Sequence, residues 1–85
     1  MALLRIYTRS WCEDSQAAKE FLRNRGLAFE EIDIERRPEA VPFVEKANEG
    51  RRRTPTFEIE GRNFHCSPFS AEMLEANLKL TGAME

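Results

Sequence analysis

The sequence is poor in the residues that staple, coordinate or anchor small proteins. Its 85 residues include two cysteines, Cys12 and Cys66, and one histidine, His65. Two cysteines cannot build the multi-bridge framework of a small secreted scaffold. Cys12, Cys66 and His65 offer three metal donors at irregular spacing and no obvious fourth, so a structural zinc site is not expected. No apolar run approaches the roughly 18 residues that a membrane-spanning helix requires. Neither sign of charge dominates: thirteen Lys and Arg stand against fifteen Asp and Glu, for a net charge of −2. That balance speaks against general nucleic-acid binding and against binding to a membrane surface. Internal repeats and low-complexity stretches are also missing.

What is present fits one well-solvated domain spanning residues 1–85, too short for a second core. The opening Met-Ala-Leu-Leu-Arg-Ile-Tyr becomes charged too early for a secretory leader. The expected compartment is therefore the cytosol, with both thiols reduced. Residues 3–7 read as a short buried strand, with Thr8 to Trp11 as its exit loop. From 13 to 25, Ala17, Ala18, Phe21 and Leu22 recur at helical spacing, and Lys19, Glu20, Arg23 and Arg25 take the other side. Gly26 is a natural stop. Residues 27–34 alternate as a second strand. Pro38 suits the first turn of another helix, with Val41, Val44 and Ala47 as its apolar stripe and Gly50 beyond its end. Residues 56–60 alternate again, Gly61-Arg62 makes a tight turn, and Asn63-Phe64-His65 returns. Ser67 or Ser70 caps a last helix striped by Met73, Leu74, Asn77 and Leu78. The order is βαβαββα: a parallel βαβ unit, then a hairpin and a helix. The predicted architecture is α/β, a four-stranded mixed sheet flanked by three helices.

Cys12 falls where the first strand hands over to the first helix. A thiol there faces unpaired N–H groups and the positive end of the helix dipole, which favour the thiolate. The thiolate is the reactive form. Arg9 adds positive charge, Trp11 covers one side, and Glu13 and Asp14 oppose ionisation. Ser15, three residues on, shares a helix face with Cys12. It cannot close a Cys-x-x-Cys disulfide, but it can donate a hydrogen bond to the thiolate. A buried structural cysteine and an ordinary first-turn serine are the plainer readings. Arg51, Arg52 and Arg53 precede Thr54-Pro55, and either grip carboxylates or form a solvated charge run.

The string Tyr7-Thr8-Arg9-Ser10-Trp11-Cys12 before a helix resembles the active-site start of the glutaredoxin family. So do Asp33-Ile34 closing the second strand, Arg53-Thr54-Pro55 opening the third, Gly61 in the hairpin and the order of elements. Trp11-Cys12-Glu13-Asp14-Ser15 is similar to the Trp-Cys-Gly-Asp-Cys site of mycoredoxin-like members, as is the stretch Ser67-Pro68-Phe69-Ser70-Ala71-Glu72. The resemblance spans nearly the whole chain. It implies a thioredoxin-like fold and thiol–disulfide exchange. It also implies a cis bond at Pro55; Pro38, Pro42 and Pro68 have no such support.

Three positions depart from the family pattern. Ser15 replaces the second cysteine, as in a monothiol member or a variant with that cysteine removed. His65-Cys66 replaces a Gly-Gly pair that lets a ligand approach the backbone closely. Glu13-Asp14 makes the entrance acidic. The expected activity is that of a glutaredoxin-type oxidoreductase working through Cys12 on mixed disulfides between proteins and a small thiol. Glutathione or another low-molecular-weight thiol serves as co-substrate, with no bound cofactor. Ser15 assists at the catalytic position, and Arg9, Trp11, Arg53, Thr54, Pro55, Cys66 and Ser67 receive the substrate. Cys66 is either a resolving thiol or a small core residue. The partners expected are small-thiol or protein disulfides, and the chain is expected to be a monomer. Two rival functions fit the same fold: a redox-inactive binding module, and a monothiol dimer carrying an iron–sulfur cluster, although the usual Cys-Gly-Phe-Ser signature is absent.

Overall fold

Strand β1 (Arg5–Thr8) is the second strand of a four-stranded sheet ordered β2-β1-β3-β4. The computed structural model describes residues 3–84. Around β1 are helix α1 (Glu13–Asn24), strand β2 (Glu30–Asp33), helix α2 (Val41–Ala47), strands β3 (Thr56–Ile59) and β4 (Arg62–His65), and helix α3 (Ala71–Leu80). β1 and β2 are parallel, and β1–β3 and β3–β4 are antiparallel. The mixed thioredoxin-like sheet expected from the sequence is the sheet observed.

Strand alternation sorts the side chains onto two faces. Leu4, Ile6, Phe57 and Ile59 point to one face and pack with Ala18 and Leu22 of α1 and Leu74 and Leu78 of α3. Tyr7, Ile32 and Ile34 point to the other, under Val44 of α2. Buried leucines of this kind hold roughly 2–5 kcal/mol each against truncation to alanine. The Tyr7 hydroxyl satisfies itself by donating to Glu58 Oε1 at 2.8 Å. Its burial and that carboxylate push its pKa up to about 12.

Several boundaries shift from the sequence reading. β1 begins at Arg5 and takes in Thr8, because pairing with β2 starts at Arg5–Glu30 and ends at Thr8–Asp33. Leu3 is exposed. β2 pairs only from Glu30, since residues 27–29 are still emerging from the end of α1. There the Gly26 amide bonds Arg23 O and the Leu27 amide bonds Leu22 O, a Schellman closure with Gly26 at φ 68°. The hairpin turn is Glu60-Gly61, not Gly61-Arg62. Both turn residues have positive φ, 48° and 78°, as a type I′ turn requires, and Arg62 already pairs with Ile59.

Pro38 opens a short 3₁₀ turn, Pro38–Ala40, and Pro42 sits in the first turn of α2, where its missing N–H costs nothing. Of the predicted α2 stripe only Val44 is fully buried, because the helix is two turns long. In α3, Ser70 is the cap, its hydroxyl accepting from the Met73 amide at 3.3 Å. Met73 is exposed, and Leu74 and Leu78 carry the packing.

Lys19 is the clearest reversal on α1. The helical pattern puts it on the solvent side, yet it is only 9% exposed. Its ammonium donates to Glu31 Oε2 at 2.9 Å, and the Thr8 hydroxyl donates to the same oxygen at 2.8 Å. The edge strand brings Glu31 over α1, so a charged position becomes an internal one.

Candidate active site

The crossover from β1 to α1 places Cys12 at the α1 N-cap, in extended geometry with φ −83° and ψ 113°. Its amide bonds Arg9 O at 3.1 Å, which closes the turn Arg9-Ser10-Trp11-Cys12. Its thiol donates to Thr54 O at 3.4 Å. The Thr54–Pro55 bond is cis, as the resemblance implied. Cys12 is 8% exposed, so a partner sulfur must approach it through a narrow opening.

The thiol ionises below its ordinary value. Burial is the largest influence and pushes the other way. The Ser15 hydroxyl, the Thr54 hydroxyl and the amides of Ser15 and Asp14 together outweigh it. Ser15 is fully buried, and its Oγ has no hydrogen-bond partner among the described residues. These two facts are compatible: a neutral thiol is a poor acceptor, and a thiolate is a strong one. The hydroxyl is a donor that gains its partner when Cys12 ionises.

Arg9 reaches the sulfur only through Thr54. Its Nε donates to Thr54 Oγ1 at 3.1 Å and its Nη2 to Arg52 O at 2.7 Å. With that oxygen occupied as an acceptor, the Thr54 proton is free to point at the thiolate. Asp14 also departs from expectation. Its amide favours the Cys12 thiolate, and its Oδ1 accepts from the Phe69 amide at 3.0 Å, which ties α1 to the loop before α3. Trp11 is 63% exposed and does not form a closed cover. It lies under the Arg9 guanidinium, 4.5 Å from ring centroid to Cζ, and donates to Glu35 Oε2 at 3.0 Å.

Arg9, Trp11, Glu35 and Arg52 line a cavity of about 460 Å³ together with Val41 and Pro42 of α2. Arg53 is not part of it and lines a separate cavity with Arg51 and His65. The side chains of Thr54 and Pro55 are buried, so they set position more than they supply surface. Cys66 is tied to the same loop through its amide, which bonds Pro55 O at 3.0 Å. Its sulfur accepts from the Ser70 amide at 3.5 Å and lies 3.6 Å from Ser70 O. Burial raises its thiol first, and the Asp14 carboxylate adds to that rise. Both cysteines are free thiols, and Cys66 packs with the main core. Ser67 is half-buried just beyond it, before a cis Ser67–Pro68 bond that the sequence reading did not expect.

Glu35 is a site residue that the sequence reading passed over as part of a charged turn. Its signal was position: in a βαβ unit, the residues after β2 lie beside those after β1. Among the described residues, no group of three or more His, Cys, Asp or Glu side chains is arranged to hold a metal ion. No helix of the described residues is long and apolar enough to cross a membrane.

The sheet, the thiol at the α1 N-cap position and the cis-proline loop define a thioredoxin-like α/β protein. The glutaredoxin family profile matches residues 4–64. A Mycobacterium tuberculosis protein assigned to the glutaredoxins, from strains CDC 1551 and H37Rv, is 33% identical over 81 residues, covering 95% of this chain and 96% of its own. The glutaredoxin-like NrdH-redoxin of Escherichia coli superposes with a TM-score of 0.71 at 30% identity, over 86% of this chain and 91% of that one. Glutaredoxin 1 of Francisella tularensis shares the fold, with a TM-score of 0.61 at 20% identity over 94% and 95% of the two chains. The chain belongs to the glutaredoxin family, and family and fold together support a thiol–disulfide oxidoreductase type of function.

Proposed function

We propose that this protein is a monothiol glutaredoxin-type oxidoreductase that acts through Cys12 on mixed disulfides between proteins and a low-molecular-weight thiol. The observation that carries this reading is the Cys12 sulfur at the α1 N-cap, with its ionisation favoured and Ser15 where a second thiol would be needed. The thiolate attacks the small-thiol sulfur of the mixed disulfide. The protein thiolate leaves and takes up a proton, and Cys12 is left bonded to the small thiol. A second small thiol, as thiolate, attacks the adduct sulfur. The two small thiols leave as their disulfide, and the Cys12 thiolate is restored. The mixed disulfide is reduced to one free protein thiol, and one free small thiol is oxidised as it joins the small thiol that was already disulfide-bonded, with glutathione or mycothiol as the co-substrate class.

Ser15 and Thr54 hold the negative charge on sulfur. Arg9 orients Thr54, and Arg9 and Arg52 present guanidinium groups in the larger cavity to a carboxylate of glutathione, or to the hydroxyl and carbonyl oxygens of mycothiol, with Trp11 as its exposed wall. The proposed exchange needs reduced thiols and therefore a reducing compartment such as the cytosol. Mass spectrometry after incubation with oxidised glutathione and with oxidised mycothiol tests the reading: one small-thiol adduct forms, and it maps to Cys12. Rapid reduction of an intramolecular protein disulfide with no small thiol added would overturn it. Ser15→Cys converts the adduct to an internal disulfide with Cys12 and releases the small thiol.

A further inference from the structure

The second cavity, of about 360 Å³, lies on the α2 side of the cis-proline loop, bounded by Arg51, Arg53 and His65. The turn after α2 builds it. Glu49 at φ 57° and Gly50 at φ 86° reverse the chain, and the Arg51 amide closes on Asn48 O at 3.1 Å. Its wall is rigid: the buried Asn48 donates to Val44 O at 2.7 Å and to Thr56 Oγ1 at 3.0 Å. Thr56 pairs across the hairpin with His65, which sets the imidazole beside the arginines. Burial and the Arg53 charge together hold His65 below its ordinary pKa.

Three arginines elsewhere in the chain are matched by carboxylates, whereas Arg23, Arg36 and Arg37 make no ion pair among the described residues. Arg5 pairs with Glu30, Arg25 with Glu75 and Arg52 with Glu45. Among the described residues, no hydrogen bond or ion pair engages the guanidinium group of Arg51 or Arg53, although the Arg53 carbonyl accepts from the Thr56 hydroxyl at 2.6 Å. One carboxylate, Glu49, lines the same cavity. Two guanidinium groups and an imidazole therefore converge on one concave site in a chain whose net charge is −2. Arg53 immediately precedes Thr54, whose carbonyl accepts from the Cys12 thiol. An anion held here sits at the flank of the loop that meets the reacting sulfur.

We propose that the cavity bounded by Arg51, Arg53 and His65 binds carboxylate side chains of an acidic peptide segment, and so docks a protein partner beside the cis-proline loop. The chemistry is that of guanidinium forks on carboxylates, with several carboxylates spaced along one extended chain. The proposal rests on the thiol-exchange reading for what the docked partner delivers, but the docking itself needs no sulfur.

The test is fluorescence anisotropy of a fluorescein-labelled hexaglutamate peptide, which contains no cysteine, titrated with the full chain at low salt. Arg51→Ala with Arg53→Ala is expected to weaken binding by about tenfold or more. Arg36→Ala with Arg37→Ala removes the same charge from a different turn and is expected to change it less than about twofold. Arg51→Glu alone, at an exposed position, repeats the test with the least risk to folding and weakens binding as well. Equal losses in the two double variants would overturn the site in favour of general charge attraction. Inorganic phosphate displacing the peptide at an equal concentration would overturn the peptide assignment, since one small anion would then fill the cavity. Turnover of the uncharged hydroxyethyl disulfide by the unmodified chain keeps the two readings apart. No turnover with peptide bound normally overturns the thiol reading alone; turnover without peptide binding overturns the docking alone.

Discussion

Cys12 and Cys66 lie at the same end of the sheet and are buried to nearly the same degree, 8% and 5% exposed, yet their thiols are pushed in opposite directions. Burial opposes ionisation at both. At Cys12 it is overcome by two hydroxyls, from Ser15 and Thr54, and two amides at the start of α1. At Cys66 the Ser70 amide is the one donor acting against it among the described residues, and the Asp14 carboxylate reinforces it. Asp14 serves both sites: its amide faces the first sulfur and its charge bears on the second. The contrast teaches that the donors around a buried sulfur, set against its burial, decide which way its ionisation moves.

The largest expected effect follows directly. Cys12→Ser abolishes exchange with a small-thiol mixed disulfide, whereas Cys66→Ala leaves turnover within about twofold and lowers stability by about 1 kcal/mol, measured by urea unfolding. Loss of turnover in Cys66→Ala at full stability would make Cys66 a resolving thiol and erase the distinction.

Next in size is Ser15→Ala. Removing a donor that serves only the thiolate raises the pH at which Cys12 ionises. The rate of iodoacetamide alkylation at pH 6 falls by roughly tenfold, the scale of one hydrogen bond to a charged group. In the unmodified chain, the midpoint for Cys12 alkylation lies below the ordinary thiol value and that for Cys66 above it. A reversed order in peptide-resolved alkylation would refute the assignment.

Smaller still is Asp14→Asn. The amide oxygen can still accept from Phe69, so the fold is kept. The negative charge near Cys66 is gone, so the Cys66 midpoint moves down while that of Cys12 stays within the range set by its donors. The smallest effect falls outside the thiol region. Lys19→Met removes the ammonium from Glu31 and costs about 1 kcal/mol in thermal or urea unfolding, with exchange kinetics unchanged. Glu31 is held below its usual carboxylate range: burial pushes it up, but Lys19 and Thr8 pull it down further. That contribution is present at neutral pH and is lost as pH falls through the lowered value, so Lys19→Met and the unmodified chain converge in acid.

Much of this molecule is legible in its residues because short-range rules settle it. Alternation places Ile6, Phe57 and Ile59 on a buried face, Gly26 ends α1, and Pro38 opens the turn before α2. Cys12 before a helix marks the sulfur whose ionisation its surroundings favour. Legibility ends where one element is read by another. Lys19 looks solvated until β2 delivers Glu31. Trp11 looks like a lid until Glu35 draws it aside. Asp14 looks like an opponent of the thiolate until the direction of its amide is known. The three consecutive arginines look alike, yet Arg52 faces the larger cavity and Arg53 the smaller one.

The sequence by itself determined the order of elements, the parallel first pair of strands, the position of the thiol and the lack of a second one three residues on. These depend on periodicity, backbone freedom and residue identity within a few positions. Tertiary structure alone decided that the Ser15 hydroxyl is sealed in without a partner among the described residues, that Arg9 speaks to sulfur through Thr54, and that an arginine-lined hollow opens beyond the proline loop. Each of those facts is a meeting between groups distant along the chain. Electrostatic and hydrogen-bond energies depend on distance and direction in space, which no local pattern of residues encodes.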